Sequence, residues 1–128
     1  MLAALLLVAT LLYPQAKKSK KPKAPDAIIE QITVRRDGEL IAIDGKLKNR
    51  SEKPIKGMVL LIQFLGPNKD SLTIQRGPVD SDVVAAGDEA EFRLQIKAPT
   101  RSVSVHLEAQ DKDEKDLRID NNGPFPIE

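Results

Sequence analysis

From residue 27 onward, apolar and polar residues alternate with period two, and clusters of turn residues interrupt the alternation. This is the pattern of short β-strands. Its strongest expression is the stretch 40–65. Residues 40–48 (LIAIDGKLK) are apolar at first and then alternate, and residues 49–54 (NRSEKP) carry turn chemistry. Residues 58–65 (MVLLIQFL) form a short apolar run bounded by Gly57 and by Gly66-Pro67. Its length and its content of Val, Ile and Phe predict a buried central strand rather than a helix. Strand parity puts Ile41, Ile43 and Leu47 on one face, with Gly45 in register between them. It also puts Met58, Leu60, Ile62 and Phe64 on a common face.

Further strands flank this pair. Residues 28–34 place Ile28, Ile32 and Val34 on one side, and Asp37-Gly38 then signals a hairpin. Residues 72–74 read as a short strand ended by Arg76-Gly77-Pro78. Residues 79–86 read as an edge segment, with Asp80 and Asp82 turned outward to discourage pairing with another chain. Residues 89–97 alternate most cleanly, with Phe92, Leu94 and Ile96 inward and Glu91, Arg93, Gln95 and Lys97 outward. Residues 102–109 turn Val103, Val105, Leu107 and Ala109 inward. A charged turn at 111–116 precedes a last short strand at 117–119 and a tail ending in Phe125-Pro126-Ile127-Glu128. No segment has helical periodicity. Seven or more short strands separated by turns predict an all-β fold, an antiparallel β-sandwich of immunoglobulin type over residues 27–128.

The N-terminal residues break from this pattern. Residues 2–13 are apolar apart from Thr10. A run of about a dozen residues is shorter than the roughly 20 a membrane-spanning helix needs, and it fits the apolar core of a secretory signal over residues 1–16. No Lys or Arg precedes it, and Pro14 stands two residues before Ala16, the one evident cleavage point. The segment is therefore expected to act either as a cleaved signal or as a short membrane-targeting element. Residues 17–26 follow as a linker. Lys17, Lys18, Lys20, Lys21 and Lys23 repel one another and the prolines stiffen the chain, so an extended spacer is expected. Weak contact of these lysines with an anionic surface is the functional alternative.

Charge and composition then narrow the function. The formal net charge is +1. Without the five stalk lysines, 15 basic and 19 acidic residues remain in a slightly acidic domain. An acidic body with few aromatics offers no phosphate-binding groove or base-stacking platform, so no nucleic-acid partner is expected. There is no cysteine, which excludes disulfides, thiolate metal sites and cysteine catalysis.

Residues 43–51 (IDGKLKNRS), Pro54-Ile55, the run 59–65 and the later Gly87-Asp88-Glu89-Ala90-Glu91-Phe92 together resemble the FxLYD family. The resemblance covers residues 27–110. Its motifs are a strand ending in Gly-x-hydrophobic-x-Asn-x-Ser, and a Gly-acidic turn before a Phe-x-hydrophobic strand. Ile62, Phe64, Leu65 and Gly66 stand where that family shows Phe, Leu, Tyr and Asp. The resemblance implies a small exported bacterial domain with an immunoglobulin-like fold and an accessory or interaction role. It brings no catalytic residues.

Candidate chemistry is sparse. His106 is the single histidine, and its parity places it outward. Alone and without cysteine partners it makes a poor metal site. Asp111, Asp113, Asp116 and Asp120, with Glu114, form the one acidic group that suggests calcium. It lacks the Gly and Glu that an EF-hand loop places at its sixth and twelfth positions, and a solvated turn is the simpler expectation. Asn49-Arg50-Ser51 matches a glycosylation sequon but reads as a turn in which Asn49 bonds its own backbone. No nucleophile motif, phosphate loop or dinucleotide fingerprint is present. The expectation is a non-catalytic exported module, periplasmic or secreted, that needs no cofactor and binds another envelope protein. The alternative is a module for a small ligand, Ca²⁺ or glycan.

Overall fold

The computed structural model describes residues 24–128. The segment 1–16 and the lysines of 17–23 lie outside the described residues. The described chain is built from eleven strands and no helix. These are β1 (Ala27–Asp37), β2 (Leu40–Asn49), β3 (Ile55–Lys56), β4 (Val59–Leu65), β5 (Ser71–Pro78), β6 (Val83–Val84), β7 (Glu89–Lys97), β8 (Ser104–Gln110), β9 (Asp116–Leu117), β10 (Ile119–Asp120) and β11 (Phe125–Pro126). Among the described residues no helix is long and apolar enough to cross a membrane.

Two sheets pack face to face. One has the order β10-β1-β2-β7, and the other the order β9-β8-β4-β5 with β11 also on β8. A small ribbon, β3 with β6, closes one end. The two central strands meet in the core. Ile41, Ile43 and Leu47 of β2 and Leu60, Ile62 and Phe64 of β4 are all fully buried. The inward residues Val105, Leu107 and Ala109 of β8 and Phe92 of β7 complete this layer. Each of these side chains larger than alanine contributes about 1.5–3 kcal/mol when withdrawn from water.

Gly45 shows why the packing needs a missing side chain. It pairs with Ile32 on one side and Phe92 on the other. A Cβ there would overlap the Phe92 ring and lie 2.5 Å from the Gln31 carbonyl oxygen. The ring thus occupies the space above the glycine. Gly77 of β5 plays the same part for Leu94, whose Cδ1 would stand 2.6 Å from a Cβ at that position.

Several elements differ from the sequence expectation, each for a physical reason. Ile29, not Ile28, is buried in β1. The register against β2 shifts between Ile29 and Gln31, so that Glu30 is an extra residue and the inward parity changes across it. β5 does not stop at Ile74 but runs to Pro78. Being an edge strand it tolerates a proline, and Gly77 is needed inside it for Leu94. The expected edge segment shrinks to the two residues of β6. Val103 is 44% exposed, and Ser102 is buried in its place. The Ser102 carbonyl accepts a bond from Arg36 Nη2 at 2.8 Å before regular alternation begins at β8.

The largest difference is at the C-terminus. The expected strand at 117–119 is two strands in different sheets. β9 pairs with β8, while β10 pairs with β1 in parallel, so the sandwich is not purely antiparallel. β11 then returns to β8, and Glu128 exchanges backbone bonds with Val34 and Arg36 of β1 (2.9 Å each). The chain thus weaves between the sheets and covers the outer edges of both β1 and β8.

Replacing Gly45 by Ala should destabilise the fold by about 1–3 kcal/mol, the usual cost of overpacking. Urea unfolding should show a lower midpoint at unchanged slope. An unchanged midpoint would show that the Phe92 ring is free to move aside.

Candidate functional site

Asn49 is the most heavily bonded side chain of the domain and is completely buried. Its Nδ2 donates to the carbonyls of Lys53 (2.8 Å) and Val84 (2.9 Å). Its Oδ1 accepts from the backbone N–H of Ser51 (2.9 Å) and from Ser51 Oγ (2.7 Å). Its backbone N–H donates to Asp88, and its carbonyl accepts from Gly87. One residue therefore ties together the end of β2, the 49–54 loop and β6 through its side chain, and the 85–88 turn through its backbone. The residue keeps a negative φ, unlike Lys69, Glu114 and Asn121, so it ends the strand without a left-handed turn. Its burial also leaves the sequon nitrogen inaccessible in the folded state.

Beside this loop lies a cleft of about 510 Å³ between residues 51–56 and 111–117. Ile55 and Leu117 contribute its apolar surface, and Lys53, Lys56, Lys112 and Lys115 its cations. Its acids are largely committed. Asp26 Oδ2 accepts from the Arg118 N–H at 2.8 Å, which anchors the residue just ahead of β1 to the fold. Asp111 Oδ1 accepts from the N–H groups of Asp113 (2.9 Å) and Lys115 (3.0 Å). Asp113 stands 3.8 Å from Lys112 Nζ. The cleft has charges of both signs but no nucleophile aligned with a base.

The acidic residues singled out from the sequence do not converge. Asp111 organises its own turn, Asp116 accepts from Gln110 Nε2 at 3.1 Å, and Asp120 lies in β10 against β1 in the other sheet. Among the described residues no three or more His, Asp or Glu side chains stand close enough to hold a metal ion. His106 lies on the outer face of β8, with Nε2 3.5 Å from Glu108 Oε2 and 3.4 Å from Asn122 Nδ2.

A carboxyl pair that the sequence did not reveal sits on the outer face of the first sheet. The bulge at Glu30 carries its side chain to Glu89 on β7. The hydrogen bond between the two carboxyls raises Glu30 above the ordinary range and lowers Glu89 below it, with Lys46 and Lys48 favouring charge on both. Lys46 Nζ stands 3.6 Å from Glu89. Both groups are solvated, so the pair marks a surface charge network rather than a catalytic dyad.

The two flanks of the sandwich are unlike. The β1/β8 flank is covered by the C-terminal weave. On the opposite flank β7 pairs with β2 alone among the described residues. The Glu91 carbonyl at its start accepts from the Asp80 N–H (2.8 Å), and residues 93–97 continue beyond that contact. Leu94 and Ile96 are only half-buried there, although their partners Ile43 and Ile41 on β2 are fully buried. The sequence showed this alternation but had no means of showing that the strand ends the sheet.

No family model and no curated protein matches the chain. Similar solved structures include IrmA from Escherichia coli, at 11% identity and a TM-score of 0.48, covering 80% of this chain and 95% of that one. They also include the alkylpurine DNA glycosylase AlkC of Pseudomonas fluorescens bound to DNA containing an abasic site analog. Its identity is 16% and its TM-score 0.48, and the match covers 80% of this chain and 30% of that one.

Two measurements check this chemistry. Asn49→Ala should cost about 1–3 kcal/mol, since it strands the buried Val84 carbonyl, whereas the Lys53 carbonyl keeps its bond from Ser51 Oγ. It should also raise hydrogen exchange in residues 83–88, whereas an effect confined to the 49–54 loop would show that the β6 bond contributes little. Carboxyl NMR titration should find Glu30 titrating above the usual range and Glu89 below it, and Glu89→Gln should return Glu30 to the ordinary value. The raised group favours folding at low pH, up to its own folded-state pKa. The lowered group favours folding at higher pH, down to its own folded-state pKa. The two windows overlap between the two folded-state pKa values, so the pair should favour folding most in that interval and less on either side of it.

Proposed function

We propose that the protein is an exported, non-catalytic β-sandwich module of immunoglobulin type that binds another protein of the bacterial envelope. The observation that carries this reading is the contrast between the two flanks. Among the described residues, a C-terminus woven across one pair of edges leaves residues 93–97 of β7 without a second strand on the other side. Natural sheets normally cover, shorten or distort such an edge, because exposed N–H and C=O groups invite pairing. The signal-like segment 1–16 and the Lys/Pro stalk support an exported domain held at a distance from its anchor or cleavage point.

A second reading rests on the mixed-charge cleft beside Asn49. Its volume of about 510 Å³ suits a small polar ligand or a glycan unit.

Immobilised protein challenged with an envelope extract should retain a protein that saturates, identified by mass spectrometry. A blank there, together with a rise in melting temperature on adding small ligands or glycans, would overturn the interaction reading in favour of the cleft.

A further inference from the structure

We propose that the free margin of β7, residues 93–97, is a strand-addition site for an extended segment of a partner protein with acidic residues at alternate positions. The inference rests on the interaction-module reading and gives it a place and a partner chemistry. Strand geometry identifies the exposed groups. Glu91 turns its carbonyl away from β2, toward Asp80. Alternation then turns the N–H and C=O groups of Arg93, Gln95 and Lys97 the same way. The ladder from β7 to β2 has no register shift along its length, so this margin is regular.

The other edges are less suitable. Those of β1 and β8 are covered by β9, β10, β11 and Glu128. The β5 edge is broken at both ends. Its register slips beside Leu65, leaving Leu72 as an extra residue, and Pro78 has no N–H to offer. At β7 an added strand would also extend an unfinished apolar layer, since Leu94 and Ile96 are half-buried.

Charge selects the occupant. Arg93 and Lys97 stand at the margin with side chains 76% and 78% exposed, and their acids Asp44 and Glu39 belong to the β2 side, at 3.9 and 3.7 Å. Over residues 93–97, beyond Glu91 and Asp80, the charges an incoming strand meets are therefore positive. Such exposed pairs are weak and leave the cations available to a second carboxylate. A second copy of this chain fits poorly. Antiparallel self-pairing over the whole free run centres on Gln95 and sets Arg93 opposite Lys97 of the other copy at both ends, which is destabilising.

The probe is a blocked nine-residue peptide alternating valine and glutamate, with a lysine-for-glutamate version as control, added to the full chain. The glutamate peptide should protect the amides of Arg93, Gln95 and Lys97 from hydrogen exchange in a saturable way. Gln95→Pro, which removes an N–H that the ladder to β2 does not use, should weaken binding about tenfold. The double variant Arg93→Glu, Lys97→Glu needs no backbone change and should reverse the preference between the two peptides. Equal binding of both peptides, protection at Ile74 and Arg76 instead, or a dimer of the protein alone that Gln95→Pro dissolves would each overturn the proposal. An envelope protein retained equally by wild type and both variants would overturn this site while leaving the interaction module standing. Absence of both a protein partner and peptide protection would remove the two together.

Discussion

Everything in this domain depends on two apolar strands, β2 and β4, burying their inner faces against each other. The constraint is geometric as well as energetic. Two packed sheets leave only a narrow layer for side chains, so a large ring needs an absent one opposite. Phe92 fits because Gly45 carries no side chain, and Leu94 fits because Gly77 carries none. The glycines belong to the core as much as the residues that fill it.

Once the two sheets are joined, the remaining problem is their edges. The chain solves it on one flank with residues 116–128, which visit β8, β1, β8 and β1 in turn. Short strands suffice because each only has to satisfy a few backbone groups that would otherwise face water or a foreign strand. On the other flank β5 is guarded by a slip and a proline, while among the described residues β7 has beyond the Asp80 bond only its charges. Function, on the reading proposed above, belongs to the flank the fold leaves unfinished.

Asn49 joins these two themes. Its side chain supplies donors and an acceptor where the loop after β2 and the ribbon β3–β6 meet, a place where no sheet ladder reaches. A buried amide with all its bonds made rigidifies what it touches, and here it shapes one wall of the charged cleft. The cleft has volume and charge but no aligned reactive pair, and the acids that looked like a calcium group do not converge: Asp111 is spent on backbone amides and Asp120 lies in the other sheet.

The sequence by itself determined the all-β character, the central strands and most inward positions, because period-two burial is a local property that alternation records directly. It also marked the turns at Asp37-Gly38, residues 66–70 and Gly87-Asp88, where backbone conformation demands particular residues. Tertiary structure alone decided the rest. The bulge at Glu30 changes which isoleucine is buried, and it depends on the strand opposite. The split of 116–120 between two sheets depends on which edges the rest of the fold leaves unpaired. Asn49 reads as a turn residue until its distant partner Val84 is in place. The open margin of β7 was equally invisible, because alternation reports which way side chains point and says nothing of whether another strand lies alongside.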